Sequence, residues 1–296
     1  MSLRDLLLCL FIPMLWGVVF VLAKPASEHF PPLIMLGAIY AVLAVVFSIL
    51  YPGRFQTPFW PGLLAGSAAG SLQAIPLFMG LAGLDASIAV LILQMQVPFA
   101  VLTGALVNGE RISPVRLLGI AVALAGVLAV AGLPAKTPPL GPVLLTIAGV
   151  AIWALGQALL KRFSRDEAPR LFRLVALHSA PQLLIGSLLL ETGQIESVRS
   201  ADGAAWGSFL LLAVGGFMVG NLVWYSLIRR LRLDQITPFL LAMPVIGVAT
   251  SAIVLGEAIT MGHLVGGGLI LLGLAIVVGI ARRPTLAPDA AQQIGE

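Results

Sequence analysis

The sequence predicts an all-α integral membrane protein: ten transmembrane helices, built as two five-helix inverted-topology repeats around a central cavity, with both termini in the cytoplasm. Three observations carry this. Apolar runs of membrane-crossing length recur along the whole chain. Positive residues favour alternate loops, and the second half restates the first.

The chain is 59% hydrophobic and 10% charged, with a mean hydropathy of +1.04. A soluble domain holds about 45–50% apolar and about 25% charged residues, so this much apolar surface needs lipid to cover it. Segments of about 20 apolar residues cross a hydrocarbon core of about 30 Å as helices. Membrane barrels instead use alternating strands, and Ala41-Val42-Leu43-Ala44-Val45-Val46-Phe47 does not alternate.

Prolines, glycines and charges set the ends of each element. Arg4 precedes the first run and Lys24-Pro25 stops it, giving span 1 at 5–23. No small-residue cleavage site follows, so it reads as a span and not as a signal peptide. Pro31-Pro32 opens span 2 at 32–51, and Pro52-Gly53-Arg54 closes it. Spans 3 and 4 follow at 60–80 and 86–107. Asn108-Gly109-Glu110-Arg111 separates them from span 5 at 115–133. Pro134 and Pro138-Pro139 lead into span 6 at 141–160. Spans 7, 8, 9 and 10 fall at 171–190, 205–228, 236–255 and 263–281, with Gly256-Glu257 between the last two. Residues 284–296, with Pro284, Pro288 and Gln292-Gln293, read as a disordered cytoplasmic tail.

Lysine and arginine favour cytoplasmic loops. With the N-terminus inside, fourteen of the seventeen cations fall inside. Only Lys24, Lys136 and Arg199 fall outside. The basic pI of 9.7 therefore reports topology, not a nucleic-acid partner. A single cysteine, Cys9, excludes an intrachain disulfide and a multi-cysteine metal site. No metal and no cofactor are expected.

Trp16-Gly17-Val18-Val19-Phe20-Val21-Leu22-Ala23-Lys24 returns as Trp153-Ala154-Leu155-Gly156-Gln157-Ala158-Leu159-Leu160-Lys161, displaced by 137 positions. Glu110, Gly119 and Gly126 return as Glu257, Gly266 and Gly273, displaced by 147. Residues 1–134 and 135–283 are therefore two copies of one unit. Five spans per copy is an odd number, so the second copy enters the membrane from the opposite side. Transporters use such repeats to present one site alternately to either side. Lys24 and Lys161 read as snorkelling to the headgroups. Glu110 and Glu257 read as caps on spans 5 and 10.

Trp-Gly and Lys in span 1, Pro98 ahead of Gly109-Glu110-Arg111-Ile112, the glycine-spaced fifth span and the second copy of each resemble the drug/metabolite transporter superfamily. The resemblance is nearest to its EamA-type ten-helix amino-acid and metabolite exporters, and it covers residues 5–282. It implies spans 1–4 and 6–9 around a central cavity, with spans 5 and 10 outside. It also implies an amino acid or similar metabolite as substrate, and export across a bacterial inner membrane. Relatives often carry arginine where this chain has Tyr40.

Within these boundaries no Asp, Glu, Lys or Arg falls mid-span. Since intramembrane charges usually mark function, an uncharged lining suits a zwitterion or a neutral metabolite. The candidate lining is Trp16 and Tyr40; Gln73 near Pro76; Gln94 and Gln96; Trp153 and Gln157; His178 and Gln182; and Asn221, Trp224 and Tyr225. Each amide also fits an interhelical hydrogen bond, and Trp16 and Trp153 fit helix packing as well as cavity lining. His178 is the mid-span group that titrates near neutrality. No carboxylate partners it, which favours facilitated diffusion or weak coupling over a full proton-coupling role.

Pro98 and Pro244 hold matching places in spans 4 and 9. Proline removes a backbone hydrogen bond and kinks a helix, so these are candidate hinges. Gly119, Gly126, Gly266, Gly267, Gly268 and Gly273 predict close helix packing, within one chain or in a weak homodimer. No paired nucleophile and base, HExxH or Walker motif marks an enzyme or an ATP-driven pump. A secondary transporter exporting amino acids is the leading expectation. Efflux of drugs or other neutral metabolites is the alternative.

Overall fold

A computed structural model describes residues 1–84, 86–132, 138–256 and 258–281. Lys136, Glu257, Arg282, Arg283, the expected boundary at 134–135 and the tail at 284–296 lie outside these residues. Ten helices are long and apolar enough to cross a membrane. They are Leu3–Leu22, Pro32–Leu50, Phe59–Leu81, Ile88–Asn108, Pro114–Ala131, Leu140–Phe163, Ala168–Leu190, Gly203–Ile228, Leu233–Val254 and Met261–Val278, hereafter spans 1 to 10. Each end falls within a few residues of its sequence expectation. No strand is present among the described residues.

The starts follow from local chemistry. The Ser2 side chain accepts from Asp5 N, and that of Asp202 accepts from Ala205 N at 2.8 Å. Each occupies one of the amides that a helix start leaves free. Prolines stand in the first turn of spans 2, 5 and 7, where the missing N–H costs nothing.

Four spans are interrupted near mid-length. Span 3 breaks at Gly70, between Phe59–Ala69 and Ser71–Leu81. Span 4 breaks at Met95, between Ala86–Gln94 and Gln96–Asn108. In span 8 the turns widen to a π-helix over Leu212–Val219. Span 9 begins as Leu233–Ile236, tightens to a 3-10 turn over Thr237–Ala242 and resumes at Met243–Leu255. Pro98 and Pro244 each stand within a turn after the break in their span. The Pro98 ring excludes the carbonyl four residues back, Gln94, and the first helix of span 4 ends there. Spans 3 and 8, and 4 and 9, are also the pairs that the 147-residue displacement matches.

Packing exchanges partners between halves. Span 1 lies against spans 8 and 9, and span 6 against spans 3 and 4. Spans 2 and 7 pack together, as do spans 5 and 10. In the last pair a Cβ on Gly119 would meet Gly273 O at 2.8 Å, and one on Gly126 would meet Gly266 O at 2.6 Å. Rising numbers face falling ones, so the two helices run antiparallel. Glycine is required because the backbones themselves touch.

Candidate functional site

The site begins at span 8. The helix there widens to π-type turns, and π segments gather at functional positions. Side chains bond two of its carbonyls. Trp16 Nε1 donates to Gly216 O at 2.8 Å, and Asn221 Nδ2 donates to Phe217 O at 2.9 Å. Gly220 lets the Trp16 indole lie flat on span 8, since any Cβ there would collide with Nε1.

One turn on, Trp224 stands between the two repeat-related tryptophans. Its ring centroid is 6.1 Å from that of Trp16 and 5.8 Å from that of Trp153. Such separations suit offset or tilted aromatic pairs. Trp224 Nε1 donates to Gln157 Oε1 at 2.8 Å. Trp224 and Gln157 are both buried, whereas Trp16 and Trp153 are half-buried. Spans 1, 6 and 8 thus meet at one aromatic centre, with Gln157 fixing the middle ring.

Tyr40 and Tyr225 flank it in an aromatic layer with Phe172 and Phe217. Tyr40 lies 5.4 Å from Phe217 and 6.4 Å from Phe172, and Tyr225 lies 6.2 Å from Phe172. Both tyrosines are buried.

The break in span 3 forms a second polar centre. Gln182 Nε2 donates to Ser67 Oγ at 2.7 Å, and Ser71 Oγ donates to Gln182 Oε1 at 2.6 Å. One amide on span 7 thereby braces both sides of Gly70. Gln73 Nε2 donates to Gly70 O at 3.1 Å. A side chain on Gly70 would collide with Ser179 Oγ, so span 7 fits into the gap that the glycine leaves. His178 lies apart from the tryptophans, against Gly66 and with its ring 5.9 Å from that of the exposed Phe59.

At the break in span 4, Gln94 is buried and its Oε1 has no hydrogen-bond partner. A buried acceptor left unmade carries a real desolvation cost. Gln96 is half-buried on the following turn. No cluster of three or more metal-ligating side chains occurs among the described residues.

Sequence reasoning read Glu110 and Lys161 singly and did not see the group of charges they join at the end of the molecule that bears the span 4–5, 6–7 and 8–9 junctions. Gly109 ends span 4 with a left-handed turn, φ 67°, and sends Glu110 back over Gly104, where a Cβ would stand 2.8 Å from Oε2. The Glu110 carboxylate meets Lys161 Nζ at 3.0 Å and accepts from Leu233 N at 2.9 Å. It therefore caps span 9, not span 5 as its position in the sequence suggested. Lys161 also donates to Leu231 O, so it turns inward rather than to the headgroups. Arg116 and Arg232 both pair with Asp234, which is buried. The missed signal was the placing of Arg116, Arg232 and Asp234 at span ends; the two arginines had counted only towards topology, and Asp234 had not been singled out.

Ten apolar spans, four of them broken, with buried aromatic and amide groups between them, define a multi-pass membrane transporter. The chain belongs to the EamA-like transporter family, which it matches twice, at residues 4–132 and 140–279. It is 33% identical to a probable amino-acid metabolite efflux pump of Salmonella typhimurium over 287 residues, covering 94% of this chain and 96% of that one. A probable amino-acid metabolite efflux pump of Escherichia coli is 31% identical over the same shares of the two chains. A solved crystal structure, 20% identical, superposes with a TM-score of 0.81 over 96% of this chain and 99% of its own. That likeness is one of fold.

Proposed function

We propose that the protein is a secondary transporter that exports amino acids, aromatic and hydrophobic ones among them, across the inner membrane of a bacterium. Transport proceeds by alternating access between two oppositely inserted halves. The observation that carries this is the tryptophan centre. Trp16 and Trp153, one from the first span of each half, flank Trp224, and the half-buried faces of the outer two offer a surface for an apolar or aromatic side chain. Gln157, Gln94 and the carbonyls at the helix breaks supply uncharged polar contacts for an ammonium and a carboxylate. Broken helices whose backbone ends line the binding site are a recurrent transporter device. The names of the bacterial relatives point the same way.

The antiparallel glycine contact between spans 5 and 10 supports the inverted arrangement, as does the exchange of partners by spans 1 and 6. Pro98 and Pro244, each just past a break, serve as hinges about which spans 4 and 9 swing. The remaining candidates divide into two groups. Tyr40, Asn221 and Tyr225 support the aromatic centre, while Gln73, Gln96, His178 and Gln182 stand around the breaks in spans 3 and 4.

Counterflow in proteoliposomes with a panel of radiolabelled amino acids tests the proposal. Accumulation of aromatic and branched amino acids is expected, with on the order of tenfold loss or more in Trp224→Ala, as for a packed hot-spot aromatic. If no amino acid accumulates, the substrate class is wrong. Competition by neutral drugs alone would favour the alternative efflux reading.

A further inference from the structure

We propose that the charge cluster around Glu110 and Lys161 is a latch that closes this end of the transport path and opens once in each cycle. The idea rests on the alternating-access function given above. Most of its bonds cross between the halves, while Arg232 with Asp234 and Lys161 with Leu231 O stay within the second. Glu110 joins Lys161 and Leu233 N, and Arg116 joins Asp234. Arg232 donates to Arg111 O and Arg162 to Val107 O, while Arg230 pairs with Asp5 at 3.1 Å. In each of these crossing bonds one partner precedes residue 117 and the other follows residue 160.

The placement of these bonds gives the cluster its mechanical role. Glu110 stands two residues past the end of span 4, and Leu233 opens span 9. Both spans are broken near mid-length, ahead of Pro98 and Pro244. A swing of either outer segment about its break separates Glu110 from Leu233 N and draws Asp234 away from Arg116. Pairs of opposite charge suit such a contact. Their desolvation largely offsets their attraction, so they can part and re-form where an apolar seam of equal area would hold fast.

The opposite end is built differently. There Glu191 accepts from Leu33 N and Ile34 N, and His29 bonds to Ser197 O. The ion pair described at that end, Lys24 with Glu28, stays within one short helix. An open cleft of about 350 Å³ lies beside it, lined by Pro25, Glu28, His29, Ser200 and Asp202. Among the described residues, one end is fastened across the halves by paired charges and the other by a carboxylate and a histidine on backbone groups.

Distance measurement tests the latch without any substrate. Spin labels are placed on cysteines at Ile112 and Arg229 in a Cys9→Ser background, and the full chain is studied in lipid nanodiscs. The otherwise unaltered protein should give one short distance. Glu110→Gln and Lys161→Gln should each raise the ratio of a longer to the short population on the order of tenfold. Lys161→Arg, which keeps the charge, and Lys24→Gln should leave it unchanged. If either glutamine variant does not stay monodisperse, Asp234→Asn carries the same expectation. Unchanged distances in folded glutamine variants would overturn the latch. A shift in distance without any amino-acid counterflow would remove the substrate reading and keep the latch. Counterflow with unchanged distances would do the reverse.

Discussion

Lys24 and Lys161 close equivalent nine-residue stretches, yet their surroundings differ. Lys24 has 55% of its side chain exposed and meets Glu28 at 3.7 Å within the same short helix. Lys161 has 18% exposed and is bound by a glutamate and a carbonyl from two other junctions. The two tryptophans at the other end of the stretch diverge in the same way. Trp16 uses its N–H on the π segment of span 8, whereas Trp153 contributes its ring to Trp224. A duplicated sequence thus fixes which residues stand at corresponding places. The neighbours that each place meets in the fold then differ.

Substitutions can break this comparison, and the largest effect is expected at the lysines. Lys161→Met leaves Glu110 buried without its cation, which costs about 3–5 kcal/mol for a buried pair. Lys24→Met should stay within about 0.5 kcal/mol, as exposed pairs contribute little. Thermal unfolding in detergent compares the two, and equal losses would erase the distinction.

Glycines give the next contrast. Gly70→Ala drives a methyl group into Ser179 and should cost about 1–3 kcal/mol by overpacking. Gly268→Ala meets open space within 4 Å and should be neutral in the same assay. Trp16→Phe deletes the donor to Gly216 O and should cost about 1 kcal/mol, the usual net worth of a hydrogen bond. Trp153→Phe keeps an aromatic ring against Trp224 and should cost less.

The smallest effect concerns Asp166, in the loop between spans 6 and 7. Burial alone would push its carboxyl up. The amides of Gln56 and Thr57, the Thr57 hydroxyl and the nearby Arg170 outweigh burial and hold it below its ordinary value of 3.8. With a depressed folded value, its stabilisation is present above about pH 4 and is lost as pH falls through the folded pKa. Asp166→Asn should flatten that part of the acid-unfolding curve, and an unchanged slope would count against the assignment.

Much of the fold was legible because a bilayer imposes one length on every span. Apolar runs bounded by Pro31-Pro32, Pro52-Gly53 or Pro138-Pro139 leave little freedom in where a helix starts or stops. The breaks in spans 4 and 9 were also legible, because Pro98 and Pro244 cannot donate. The π segment of span 8 was not. It has no proline, and the side chain that bonds it comes from a tryptophan two hundred residues earlier in the chain.

The candidate site was legible as residue types and not as pairs. Gln157 and Trp224 both stood out as polar or aromatic groups in apolar spans, but nothing in their spacing joins span 6 to span 8. Ser67 and Ser71 were not singled out, since small hydroxyls in apolar spans carry no spacing signal of their own. Only Gln182, reaching across from span 7, gives them a role. Glu110 read as a cap on span 5 and Arg116 as a topology marker, and neither reading joins them to Lys161 or Asp234 across the junctions.

Labelling from the two sides of the membrane tests the inverted pairing of the halves most directly. Cys9 is buried, so cysteines introduced at Lys24 and Arg229 can be read against a quiet background. An impermeant maleimide should label the cysteine at position 24 in intact cells, and the one at position 229 only after the membrane is opened. Labelling of both from the same side would contradict the account.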